Sequence, residues 1–147
     1  MKRAGIVFLF LLTASLLWPQ GQPPNTAEFS SLVGITLADL LEHYGPPKTV
    51  SAARGNELWQ DDVIFQYDDR DFYIHKDRVW QVRVASAHGI SVGDPKQAAV
   101  LTLGNNAVDM GDHLLLPAVG SAWPIMLRVN FNNAGRVSAI FIYRTDY

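Results

Sequence analysis

The chain has 147 residues, 48% of them apolar and 18% charged, with a formal net charge of −2. That balance supports an ordinary packed core and excludes a disordered chain. Cysteine is absent, which excludes disulfide staples and an N-terminal lipid-modified cysteine.

Met1-Lys2-Arg3, the apolar run Ile6 to Leu17 and the closing Trp18-Pro19-Gln20-Gly21 read as a secretory signal peptide over residues 1–21. The apolar run is too short to span a bilayer comfortably. Removing Lys2 and Arg3 leaves ten basic against fourteen acidic side chains, a net charge of −4. A periplasmic or secreted protein is expected, with no stable membrane insertion after signal cleavage and no nucleic-acid partner. Residues 22–31 read as a linker and a short helix capped by Thr26.

Residues 32–86 are expected to form one repeat. Gly34-Ile35-Thr36 opens a helix that Thr36 and Asp39 cap and in which Leu37, Leu40, Leu41 and Tyr44 recur at helical spacing; Gly45-Pro46-Pro47 ends it. Strands are predicted over Glu57 to Tyr67, Phe72 to His75 and Arg78 to Ala85, with turns at Asp61-Asp62, Asp68 to Asp71 and Lys76-Asp77.

Residues 87–147 repeat the plan. Gly89-Ile90-Ser91 matches Gly34-Ile35-Thr36, Asp94 is the expected N-cap, Pro95 the first helical residue, and the helix runs to Leu103 before Gly104. His113 to Leu116 and Trp123 to Phe131 read as strands, Asn132 to Gly135 as a turn, and Arg136 to Arg144 as the closing strand. The fold class is therefore α+β: two tandem repeats, each a short helix followed by an antiparallel β-meander, with helices on one sheet face.

The order Gly34-x-Thr36, short helix, Tyr44-Gly45-Pro46-Pro47, Trp59, alternating strand and Asp77-Arg78-Val79 resembles the SmpA/OmlA type of outer-membrane assembly lipoprotein domain. Two such units in tandem look like the β-lactamase-inhibitor-protein fold. The resemblance implies a domain that works by binding proteins, although no inhibitory loop matches residue by residue.

Alternation assigns faces to the strands. Trp80, Val82 and Val84, with Ser138, Ile140 and Ile142, are expected to pack on the helices, and Phe65, Tyr67, Phe72, Ile74, Leu127, Val129 and Phe131 join them. The opposite face then gathers Tyr73, His75, Gln81, Arg83, Arg128, Asn130, Phe141 and Tyr143, with Gln66 and Ala139. Aromatics, amides and Arg supply contact area and hydrogen bonds at modest entropy cost, so these eight are the candidate partner-binding residues.

Other chemistry is less well supported. Gly89-Ile90-Ser91-Val92-Gly93 satisfies G-x-S-x-G, so a small serine hydrolase using Ser91 with His113 and Asp109 or Asp112 is an alternative. A periplasmic small-molecule or lipid carrier is another, and it requires a deep apolar cavity. Asp61, Asp62, Asp68, Asp69 and Asp71 read as turn acids that satisfy their own backbone N–H groups rather than a Ca²⁺ site. His43, His75, His88 and His113 lack zinc-ligand spacing. Trp59, Trp80 and Trp123 are expected to fill the cores. The sequence therefore reads as a non-catalytic module with no cofactor, whose partner is an envelope or extracellular protein.

Overall fold

The computed structural model describes residues 31–54, 62–119, 121 and 123–147. The expected signal peptide, most of the linker segment and Trp59 lie outside the described residues. So does most of the predicted strand before Asp62.

Among the described residues the first helix, α1 (Leu37–Tyr44), begins as its sequence requires. Asp39 N–H donates to Thr36 Oγ1 at 3.1 Å while Thr36 N–H donates to Asp39 Oδ2 at 3.2 Å, so two end donors are satisfied reciprocally. Gly45 ends the helix at φ 71°, a conformation that costs an L side chain, and its N–H returns to Leu41 O.

Four strands follow: β1 (Thr49–Ala53), β2 (Asp62–Gln66), β3 (Arg70–His75) and β4 (Arg78–Val84). A two-residue ribbon, β5 (Ser86–Ala87) with β6 (Ile90–Ser91), leads to α2 (Lys96–Leu103). The chain ends in β7 (Val108–Asp109), β8 (His113–Pro117), β9 (Ile125–Phe131) and β10 (Val137–Arg144). All eight main strands join one antiparallel sheet in the order β1-β2-β3-β4-β10-β9-β8-β7. The closing strands of the two halves pair with each other at the centre, Val82 opposite Ile142 and Arg83 opposite Phe141. The molecule is thus α+β, with one large continuous sheet.

One sheet face holds the core. Phe72, Val79, Val82, Leu127, Val129 and Ile140 are completely buried there, together with Leu40 of α1, and Ala99 and Leu103 of α2 close the second half. Tyr44 brings α1 onto the sheet, its ring 5.0 Å from Phe72 and 5.9 Å from Tyr67. Each fully buried side chain of this kind contributes about 1.5–3 kcal/mol through removal from water. Phe65, Tyr67 and Phe131 pack at the margin, only partly buried.

The approach to each helix uses the same backbone bonds. Gly34 N–H donates to Val79 O, Val79 N–H to Ile35 O and Leu37 N–H to Asp77 O, at 2.7–3.0 Å. Gly93 N–H donates to Val137 O, Val137 N–H to Asp94 O and Lys96 N–H to Gly135 O, each at 2.8 Å. Arg78 reaches Gly34 O and Arg136 reaches Gly93 O, both at 2.9 Å. The glycine that matches Gly34 is therefore Gly93, at φ 98° beside 88°, and not Gly89. Gly89 sits instead in the β5–β6 turn with His88, both at positive φ as a tight two-residue hairpin demands.

Several expectations are corrected. Pro95, at φ −64° and ψ 144°, is the residue before α2 rather than its first helical residue, and Asp94 uses its carboxylate to accept Ser91 N–H at 2.7 Å. Asp62 lies in β2, not in a turn. Strand β1 was not anticipated, because Thr-Val-Ser-Ala-Ala has no clear apolar alternation; β7 and the β5–β6 ribbon are too short to leave a pattern.

The largest correction concerns faces. Tyr73 pairs with Gln81 but Ile74 pairs with Val79, so Trp80 is the extra residue of a β-bulge. Ser138 holds the matching place between the paired residues Val137 and Ala139. The bulges bury Val79 and Val137, leaving Ser138 exposed and turning Trp80 toward Asp62 on the face away from the helices. Trp123 is not core either: 44% exposed, it stacks on the Arg144 guanidinium at 3.9 Å.

Candidate binding face

Directly opposed residues of an antiparallel sheet share a face, so the registers define rows across the molecule. One row runs Thr49, Gln66, Asp71, Arg83, Phe141, Arg128, Leu115, Val108, from one edge of the sheet to the other. The neighbouring row runs Ser51, Ile64, Tyr73, Gln81, Tyr143, Met126, Pro117. Asn130 pairs with Ala139 and His113 beyond the first row, and His75 follows Tyr73 on β3.

The eight residues singled out from sequence therefore lie on one side of one sheet, opposite the helices. Arg83 is exposed and the other seven are half-buried. They cover one another: the rings of Tyr73 and Phe141 meet edge-on at 6.5 Å, and His75 meets Tyr147 edge-on at 6.2 Å. Sequence reasoning missed Trp80, Asp62, Ile64, Met126 and Leu115 on the same face. Alternation could have found Ile64, Met126 and Leu115; nothing in the sequence marks the bulge that delivers Trp80.

Polar groups on this face are mostly engaged with each other. Trp80 Nε1–H donates to Asp62 Oδ1 at 3.1 Å, and His75 Nδ1 lies 3.9 Å from the same oxygen. Arg83 Nη1 is 3.7 Å from Asp71 Oδ2, too long for a hydrogen bond. Arg128 Nε donates to Asn130 Oδ1 at 2.7 Å. Burial, and next the Asp71 carboxylate, hold the Tyr73 phenol above its usual value of 10.0, with Arg83 acting in the other direction.

The remaining candidate groups are dispersed. Ser91 is in the β5–β6 ribbon, His113 is hydrogen-bonded to Asp112 at 2.6 Å, and Asp109 accepts from Lys96 at 2.9 Å and from Gly111 N–H at 2.8 Å. Among the described residues no hydrogen bond joins Ser91 to His113. Nor does the segment form a nucleophile elbow, because Ser91 is itself a strand residue and α2 starts only at Lys96. The turn expected over Asp68 to Asp71 is shorter, because Arg70 and Asp71 already belong to β3. These acids face cations rather than only their own backbone: Asp68 pairs with Lys48, Asp69 with Arg70, and Asp71 with Arg83 across the β3–β4 pairing. A polar-mouthed cleft of about 170 Å³ lies on the helix side of the sheet between Leu32, Asp69, Arg70, Ser86 and Ile142. Among the described residues, no helix is long and apolar enough to cross a membrane, and no cluster of His and carboxylate groups is placed to hold a metal ion.

No protein-family model matches the chain, and no curated protein matches it. Among solved structures, it is similar to an extracellular protein containing a SCP domain from Bacillus anthracis str. Ames, known at 1.5 Å, with a TM-score of 0.49 and 10% identity. The alignment covers 79% of this chain and 45% of that one, so the chain spans less than half of that protein's length.

Proposed function

We propose that this chain is a non-catalytic protein-binding module of the periplasm or extracellular space, built from two tandem helix-plus-meander units, whose open sheet face receives the partner. The observation that carries this reading is the pair of rows centred on Arg83–Phe141 and Gln81–Tyr143. They hold aromatic, amide and Arg side chains on the face that, among the described residues, neither α1 nor α2 covers. Such residues concentrate at the energetic centres of protein interfaces, because they offer large contact area together with hydrogen bonds. The matched bonds at Gly34 and Gly93 support the tandem organisation.

The test is site-specific photo-crosslinking in an envelope extract. A photoreactive residue at Phe141 should trap a discrete partner, and one at Gln97, exposed on α2, should not. R83A/Y143A should lose that capture while its melting temperature stays within a few degrees of the parent. Equal trapping from both positions would refute the open face as the binding surface.

A further inference from the structure

We infer that the centre of the open face recognises carboxylates, so that the partner docks an acidic surface segment over Phe141. This rests on the proposed binding role of the face and adds the chemistry of the partner. Arg83 and Arg128 flank Phe141 in one row, on the two strands that border β10. Among the described residues Arg83 donates no hydrogen bond, and Arg128 donates only its Nε–H, to Asn130. The terminal N–H groups of Arg128 are therefore left for an incoming acceptor, and Arg83, whose Nη1 stands in a 3.7 Å ion pair with Asp71, keeps N–H groups that make no hydrogen bond. Guanidinium forks suit carboxylates because two parallel N–H groups meet two oxygens.

The acids of this face already have partners: Asp71 pairs with Arg83 at 3.7 Å, Asp62 accepts from Trp80, and Asp112 beyond Arg128 is engaged by His113. An incoming carboxylate must therefore share Arg83 with Asp71. The apolar ring between the two forks excludes water from a bound carboxylate, which strengthens the charge-assisted bonds. A chain with an overall net charge of −2 thus presents two cations around an aromatic centre.

The experiment uses the full chain, isotope-labelled, titrated with a Glu-Glu-Tyr-Glu-Glu peptide at low salt and followed by NMR. Amide shifts should map to β4, β10 and β9, binding should weaken at least tenfold for R83Q/R128Q, and K76Q should leave it unchanged. A Gln-Gln-Tyr-Gln-Gln peptide should not bind. Shifts on the helices, or equal weakening by K76Q, would overturn the inference. So would a crosslinked envelope partner whose affinity is unaltered by R83Q/R128Q, and in that case the binding role of the face would stand. Unchanged melting temperature in R83Q/R128Q separates loss of recognition from loss of fold.

Discussion

Arg83 and Phe141 stand directly opposite each other across the β4–β10 pairing, and each lies five residues beyond the arginine that ties its own half to a helix-opening glycine, Arg78 and Arg136 respectively. Positions counted equally from the two arginines therefore meet at this one pair, with a cation on one side and a phenyl ring on the other.

Phe141→Arg should place a third guanidinium between Arg83 and Arg128. Like charges directly opposed in a sheet destabilise it by up to about 1 kcal/mol. Urea denaturation should show that loss at low ionic strength and its partial recovery in 0.5 M salt, since screening acts on exposed charges.

Arg78→Ala and Arg136→Ala should cost similar amounts, about 1 kcal/mol each, because each removes one hydrogen bond to a glycine carbonyl at 2.9 Å. The two sites lie at opposite ends of the antiparallel central pair, so the double variant should be additive. Chemical denaturation of the three variants checks both statements. Strongly unequal losses would separate the two halves energetically.

Gly34→Ala and Gly93→Ala should cost similar amounts. Both glycines have strongly positive φ, where an added Cβ costs about 1–2 kcal/mol. At Gly34 the new Cβ would make ordinary van der Waals contact with Trp123 Nε1 at 3.4 Å and Arg144 Nη1 at 3.5 Å, and at Gly93 it meets open space, so backbone strain decides both. Comparative melting should show losses of the same size, and only the Gly34 variant should shift Trp123 emission.

Acid should unfold the protein through its carboxylates. Thr36 hydrogen bonds hold Asp39 below its usual value of 3.8, Arg70 does so for Asp69, and Arg144 for Asp146. A depressed folded-state value means that the stabilisation is present above the unfolded value and is lost as pH falls through the folded one. Melting temperature should therefore hold steady above about pH 5 and fall below pH 4. Asp39→Asn should start lower and show a shallower acid decline.

How much of this was legible in the sequence depended on whether the signal was local. The α1 capping box, the Gly45 stop and the Asn132 to Gly135 turn were readable because backbone geometry there is dictated by adjacent residues. Strand alternation placed Tyr73, Arg83 and Phe141 on one face for the same reason. Trp80 was misplaced because a bulge is a relation between two strands, seen only in how Tyr73 and Ile74 pair. The second glycine was mismatched, Gly89 for Gly93, because equivalence there rests on hydrogen bonds to Val137 rather than on residue similarity. No spacing rule could have shown that β4 and β10 join the two halves into one sheet.

Among the described residues the two ends of that sheet differ. At one margin β7 is two residues long and offers little to a foreign strand; at the other, β1 is five residues of uncharged chain with Val50 56% exposed. Lys48, just before β1, is neutralised by its ion pair with Asp68 and adds no net repulsion there. The longer margin is thus the side of the sheet with more backbone to offer an added strand.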